Sequence, residues 1–171
     1  MIAHLTLAGA IHSALALLCI AVGLIQLLRP KRGAGHRARG YFYVYAMLVA
    51  DGTALLVYQF TGRFNVLHAG AIMNLVCIVV AIIPLLRSPR PANWKLSHYY
   101  WIAWSYVGLM AAAATELVVR LSLPATRELA WVMTSAMTIA VTTVGYILIE
   151  KYRPPRESAA TIAIQPDGAA P

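Results

Sequence analysis

The sequence predicts an all-α integral membrane protein, a five-transmembrane-helix bundle with its N-terminus outside and its C-terminus in the cytoplasm. Three observations predict it. The 171-residue chain is 60% hydrophobic and only 12% charged, against about 25% charged in an ordinary soluble domain. Apolar runs of roughly twenty residues, long enough to cross a bilayer as helices, recur along it. Lys and Arg gather in alternate connections between those runs, as they do in cytoplasmic loops.

The expected spans are residues 5–28, 41–60, 65–86, 98–120 and 129–149, so that residues 1–150 form one transmembrane bundle. The start of the chain lacks a basic n-region, and its first apolar run of about 24 residues exceeds the 7–15 of a signal-peptide core. It is therefore read as a retained span. His12, Cys19, Gly23 and Gln26 share one face of it, which should look into the bundle because polar groups facing hydrocarbon are costly. Pro30 ends this helix. The connection Arg29–Gly40 then carries Arg29, Lys31, Arg32, Arg37 and Arg39. The second span opens on Tyr41, Tyr43 and Tyr45, an interfacial aromatic cluster, and holds Asp51 near its middle. The third begins N-V-L-H-A-G, with His68 one turn inside and Pro84 at the far end.

The fourth span holds a polar stripe. His98, Ser105, Glu116 and Arg120 fall at about 0°, −20°, 0° and +40° around a helix, with Leu109 and Ala112 on the same stripe. Trp94, Tyr99, Tyr100, Trp101 and Trp104 crowd its first half. The fifth span is marked by Thr134, Thr138 and Thr142, a spacing that suits close helix packing and back-bonding to the helix or the lining of a path. The tail, residues 151–171, is rich in Pro and Ala, has no periodicity, and is expected to be disordered.

Orientation follows from charge. Eleven Lys and Arg residues lie on one side: Arg29, Lys31, Arg32, Arg37, Arg39, Arg87, Arg90, Lys95, Lys151, Arg153 and Arg156. Three lie on the other: Arg63, Arg120 and Arg127. Five spans place the N-terminus outside and the C-terminus in the cytoplasm of a cell inner membrane. The net charge of +8 does not indicate nucleic acid, because the cations are dispersed among short loops rather than forming a continuous basic face. The bilayer is the expected partner, with a membrane-protein partner or homo-oligomer open. Cys19 and Cys77 lie inside apolar runs without C-x-x-C spacing and read as small core residues.

Two clusters of polar residues follow from this topology. Counting ~1.5 Å per residue, His12 lies ~10 Å, His68 ~6 Å, Glu116 ~6 Å and Asp51 ~13 Å below the outer face. Ionisable groups in one intramembrane layer are expected to meet. His12 and His68 read equally as interhelical hydrogen-bond partners, and Glu116 with Arg120 as an i, i+4 ion pair. The second cluster joins His36, Arg37 and Arg39 to His98 at the cytoplasmic surface.

Several of these residues carry a family resemblance. His12, Gly23 and Gln26 in the first span, the segment Gly35-His36-Arg37-x-x-Gly40, and His98-x-x-Trp101-x-x-x-Ser105-Tyr106 followed by Arg120 and Pro124 resemble the bacterial membrane proteins grouped as "domain of unknown function 2306". That family often has Met after the Trp and Arg before the Ser-Tyr, where this chain has Ile102 and Trp104. The resemblance implies a helical-bundle membrane protein with His12, His36, His98 and Arg120 as motif residues. It implies no particular reaction.

Three functions fit the sequence. The first is a zinc or iron site built from His12, His68, Glu116 and Asp51, with hydrolysis available if a coordination position is open. The second is haem b electron transfer, with axial histidines drawn from different helices: His12 with His68, or His36 with His98. The third is a small transporter or a membrane-complex assembly subunit, with buried carboxylates carrying protons or a cation and the run Ala111–Ala114 serving as a docking face.

Overall fold

The computed structural model describes residues 6–58, 62–121 and 126–154, side chains excepted at 119–121 and 127. His4, the side chain of Arg120, Pro124 and the tail beyond residue 154 lie outside the described residues. Five helices run in chain order: α1 (Leu7–Leu28), α2 (Gly33–Ala54), α3 (Val66–Leu86), α4 (Trp94–Leu121) and α5 (Arg127–Lys151). Successive helices pack side by side, and α1 also touches α4. The first four thus close into a bundle, while α5 lies outside it, packed on α4 alone.

The surface is inverted relative to a water-soluble protein. Large apolar residues such as Leu17, Leu24, Met73, Ile139 and Ile147 are exposed, while the buried positions include Ala46, Ala50, Ala71, Ala81, Ala103 and Ala111. Small residues belong there because lipid tails are as apolar as Leu, so helices in a bilayer gain by close backbone approach rather than by burying oil. Two glycines mark the closest approaches. A Cβ at Gly23 would overlap Cε2 and Cδ2 of the Tyr106 ring, and one at Gly145 would sit 2.5 Å from Val107 Cγ2. Cys19, Tyr43, Met47, Ile78 and Leu109 fill the centre of the four-helix core.

Four helices, α1, α3, α4 and α5, are long and apolar enough to cross a membrane. The chain is an all-α, multi-spanning membrane protein. The helix α2 is long enough but more polar, and its limits differ from the expected 41–60. It begins at Gly33, whose φ of +77° suits glycine at the turn from α1. The stretch Gly33–Gly40, rich in glycine and arginine, reads as loop but is helical. It ends at Ala54, where the Thr53 hydroxyl bonds back to the carbonyls of Val49 and Ala50 and the next backbone bonds turn the chain away.

The ends of the other helices follow from local chemistry. Thr6 caps α1 through Gly9 N–H at 3.1 Å. Asn65 and His68 form a reciprocal capping box at the start of α3. In α5, Thr134 and Thr138 bond back to carbonyls of their own helix, and Thr138 meets Thr115 of α4 at 3.1 Å. That is the packing role expected of the threonine row.

Candidate functional site: a buried carboxyl on the bundle axis

The inner face of α2 is apolar except for one carboxyl and one phenol. Tyr43, Ala46, Met47, Ala50 and Asp51 are buried, while Tyr41, Phe42, Tyr45 and Val49 on the other side are exposed. Asp51 is 6% exposed. Its side chain has one hydrogen-bond partner among the described residues, the amide of Asn74 on α3, which donates to Asp51 Oδ2 at 3.0 Å. No described cation pairs with it. The remaining oxygen of the amide, Asn74 Oδ1, is buried without a partner and lies above Gly108 of α4, 3.6 Å from where a Cβ would be.

Other polar groups line up along the same axis. His12 of α1 bonds the carbonyl of Ala50 at 2.9 Å, next to Asp51 in the chain. A carbonyl only accepts, so Nδ1 of His12 carries the proton and its Nε2 holds a lone pair when the ring is neutral. Towards the other end of the bundle, the hydroxyl of Tyr43 meets that of Ser105, which is 0% exposed, at 3.2 Å. Ser105 and Leu109 face inward on α4 as the stripe requires, whereas Ala112 is exposed, Glu116 is half-buried and Trp101 is 36% exposed. No pattern in the sequence marks Asn74 as a site residue, and Tyr43, expected at the interface with Tyr41 and Tyr45, is instead buried in the core.

At the basic end, Gln26, His36 and Arg39 form a closed network. The amide of Gln26 donates to His36 Nδ1 at 2.6 Å and to the carbonyl of His36 at 3.0 Å. Arg39 Nε–H donates to Gln26 Oε1 at 2.8 Å. His36 precedes the apolar part of α2. Burial, followed by the charges of His98, Arg39 and Lys31, lowers its proton affinity below the ordinary histidine value. His98 donates Nδ1–H to the carbonyl of Ala81 at 3.0 Å. His36 and His98 are near enough for the charge of one to act on the other, and each is bonded elsewhere.

The other expected groupings are not assembled in this way. Among the described residues, no three His, Cys, Asp or Glu side chains converge to hold a metal ion. His68 is 2% exposed and is held between the rings of Tyr58 and Phe64, with centroids at 4.8 and 5.1 Å. Its Nδ1 accepts from Asn65 N–H at 3.3 Å, which places the proton on Nε2 and removes the lone pair a zinc or iron ion would need. The same reasoning bears on haem b. His36 spends its Nδ1 lone pair on Gln26, so neither His36 with His98 nor His12 with His68 offers two ligating nitrogens. Glu116 has an interaction of its own, and the Glu116–Arg120 pair lies outside the described residues.

Residues 9–153 match the profile of the family described as "Predicted membrane protein (DUF2306)". The chain belongs to that family. Comparison with curated proteins and with solved structures returns no match. The motif residues of this DUF2306 chain fall into place on the geometry above. Gly35 lies under Arg39, Gly40 lies beside Gln26, and His36 is locked between them. Gly35, His36 and Gly40 of the motif thus belong to the basic-end network with Gln26 and Arg39, Arg37 is exposed outside it, and His12 belongs to the carboxyl layer.

Proposed function

We propose that this protein is a small five-span proton carrier of the inner membrane in which the Asp51 carboxyl takes up and releases the proton. In this reading α2 is the fifth span, residues 1–150 form the bundle, residues 151–171 form a cytoplasmic tail, and the N-terminus is outside. The pattern of α2 supports its place as a span: Tyr41, Phe42, Tyr45, Leu48 and Val49 face out, and Asp51 faces the other helices. Average hydropathy misses such a helix because Asp51 and the arginines of its first turns, Arg37 and Arg39, lower the mean. The eleven-to-three distribution of Lys and Arg supports the orientation.

The observation that carries the functional reading is the isolation of Asp51. A carboxylate in the membrane interior costs about 2.5–3.5 kcal/mol on insertion scales, and an amide partner neutralises none of its charge. A proton does. Binding a proton removes the charge, and releasing it restores a group that the surroundings must solvate again. His12 on one side of Asp51, and the Tyr43–Ser105 pair on the other, supply groups that hand protons through intervening water.

Two measurements test this. In liposomes loaded with a pH-sensitive dye, an imposed potassium diffusion potential should drive protons through the wild type. The flux should be lost in Asp51→Asn and retained in Asp51→Glu. A hydrophobic carbodiimide, which reacts with protonated carboxyl groups in the apolar phase, should modify Asp51. Proton flux through Asp51→Asn equal to the wild type, or no modification at Asp51, would sink the proposal.

A further inference from the structure

We propose that the cleft between the end of α3 and the start of α4 binds the phosphate headgroup of an anionic phospholipid. The cleft has a volume of about 280 Å³, and its lining includes Val80, Ile83, Pro84, Arg87, Asn93 and Ser97. Its two halves differ in chemistry. The α3 wall is apolar and continues outward onto the exposed side chains of Val79, Ile83 and Leu86, a strip suited to an acyl chain. The rest of the lining offers a guanidinium, an amide and a hydroxyl, from Arg87, Asn93 and Ser97, donors suited to a phosphate. A free anion leaves the wall unused, and an apolar ligand leaves Arg87 unanswered. An amphiphile with a negative head answers both.

The charge balance around the mouth points the same way. The guanidinium of Arg90 lies 4.8 Å, and the ammonium of Lys95 5.8 Å, from the ring centroid of Trp94. Together with Arg87 they place three cations within nine residues, and no acidic residue occurs between Asp51 and Glu116. Glu150, on α5, is engaged by Tyr100 and Arg153. Basic pockets between membrane helices at the cytoplasmic face recruit anionic headgroups. Pro84 adds a second feature. It has no N–H, so the carbonyl of Val80 lacks its usual helical donor. In the proposed complex a headgroup hydroxyl takes that donor's place.

The proposal is independent of Asp51. It is tested by native mass spectrometry of the full chain, stripped of lipid in detergent and titrated with phosphatidylglycerol or with phosphatidylcholine of the same acyl chains. One phosphatidylglycerol should be retained in preference to phosphatidylcholine. Arg87→Ala should weaken retention about fivefold and Arg87→Lys should restore most of it. Val80→Trp, which fills the apolar wall, should weaken it as well. Circular dichroism verifies that each variant keeps its helices, and Arg37→Ala on α2 serves as the control that should change nothing. Equal retention of the two lipids would overturn the proposal. So would a loss in Arg37→Ala as large as in Arg87→Ala, which marks general surface attraction, or displacement of the lipid by an equal concentration of inorganic phosphate, which marks a free-anion site.

Discussion

The amide of Asn74 donates to Asp51 across 3.0 Å and ties α3 to α2 inside the bundle. Both residues are buried, so the pair behaves as a unit. Replacing Asn74 with Leu removes the hydrogen-bond partner of a buried carboxyl and should cost about 1–3 kcal/mol. Replacing both, as Asp51→Leu with Asn74→Leu, removes the polar demand itself and should cost less than the single Asn74→Leu change. Thermal unfolding in detergent across the four-member cycle measures this. A double variant weaker than the Asn74→Leu single would show that the pair does not act as described.

Gly23 and Tyr106 set how closely α1 approaches α4. The tyrosine ring occupies the space a Cβ on residue 23 would take, and its hydroxyl donates to the carbonyl of Ile20 at 3.1 Å. Gly23→Ala should therefore destabilise the fold by roughly 1–3 kcal/mol through overpacking. Tyr106→Phe keeps the ring but loses the bond, and should cost about 1 kcal/mol. Adding Tyr106→Leu to Gly23→Ala should recover part of the loss by vacating the ring position. Melting temperatures of the three variants decide it, and a Gly23→Ala protein as stable as wild type would contradict the close contact.

These pairs show what the sequence exposes and what it hides. Helix number, the small-residue seams and the inward placing of His12, Asp51 and Ser105 are written in periodicity and composition. The bonds that join the helices are not. His12, His98, Tyr99 and Tyr106 each donate across to a backbone carbonyl, those of Ala50, Ala81, Ile149 and Ile20. A carbonyl acceptor has no residue identity, so pattern reading pairs His12 with another side chain instead. The capping role of His68 is missed by a reading that makes it a ligand or a partner of His12, although a signal exists: Asn65 is followed three residues later by a side chain able to accept. The start of α2 was hidden because arginine and glycine there resemble a loop, although only Gly33 needs a positive φ.

Orientation has its own test. In a background with Cys19 and Cys77 replaced by Ala, single cysteines at Ser88 and Arg63 report on opposite ends of α3. A membrane-impermeant maleimide should label Arg63→Cys in intact cells and Ser88→Cys only after the membrane is opened. Protection of both sites or the reverse pattern would remove the proposed topology, and with it the span assigned to α2.

The network of Gln26, His36 and Arg39 makes stability depend on pH. His36 binds its proton less readily in the folded protein than the ordinary value of 6.5, chiefly because it is partly buried, with the charges of His98, Arg39 and Lys31 acting in the same direction. Between that value and its lowered counterpart the unfolded chain binds more protons than the folded one, so stability rises with pH in this window. On acidification, stability should begin to fall near 6.5 and keep falling until the folded histidine also protonates. There is a geometric cause too. A proton arriving at His36 Nδ1 meets the Gln26 N–H that now donates to it, so one of the bonds joining α1 to α2 must break. His36→Gln cannot titrate, and its melting temperature should show a weaker fall on acidification than that of the wild type. Circular dichroism melts in detergent at successive pH values, with Arg37→Ala as a neighbouring control, read the difference. An acid-induced loss of the same size in His36→Gln would show that another group carries it.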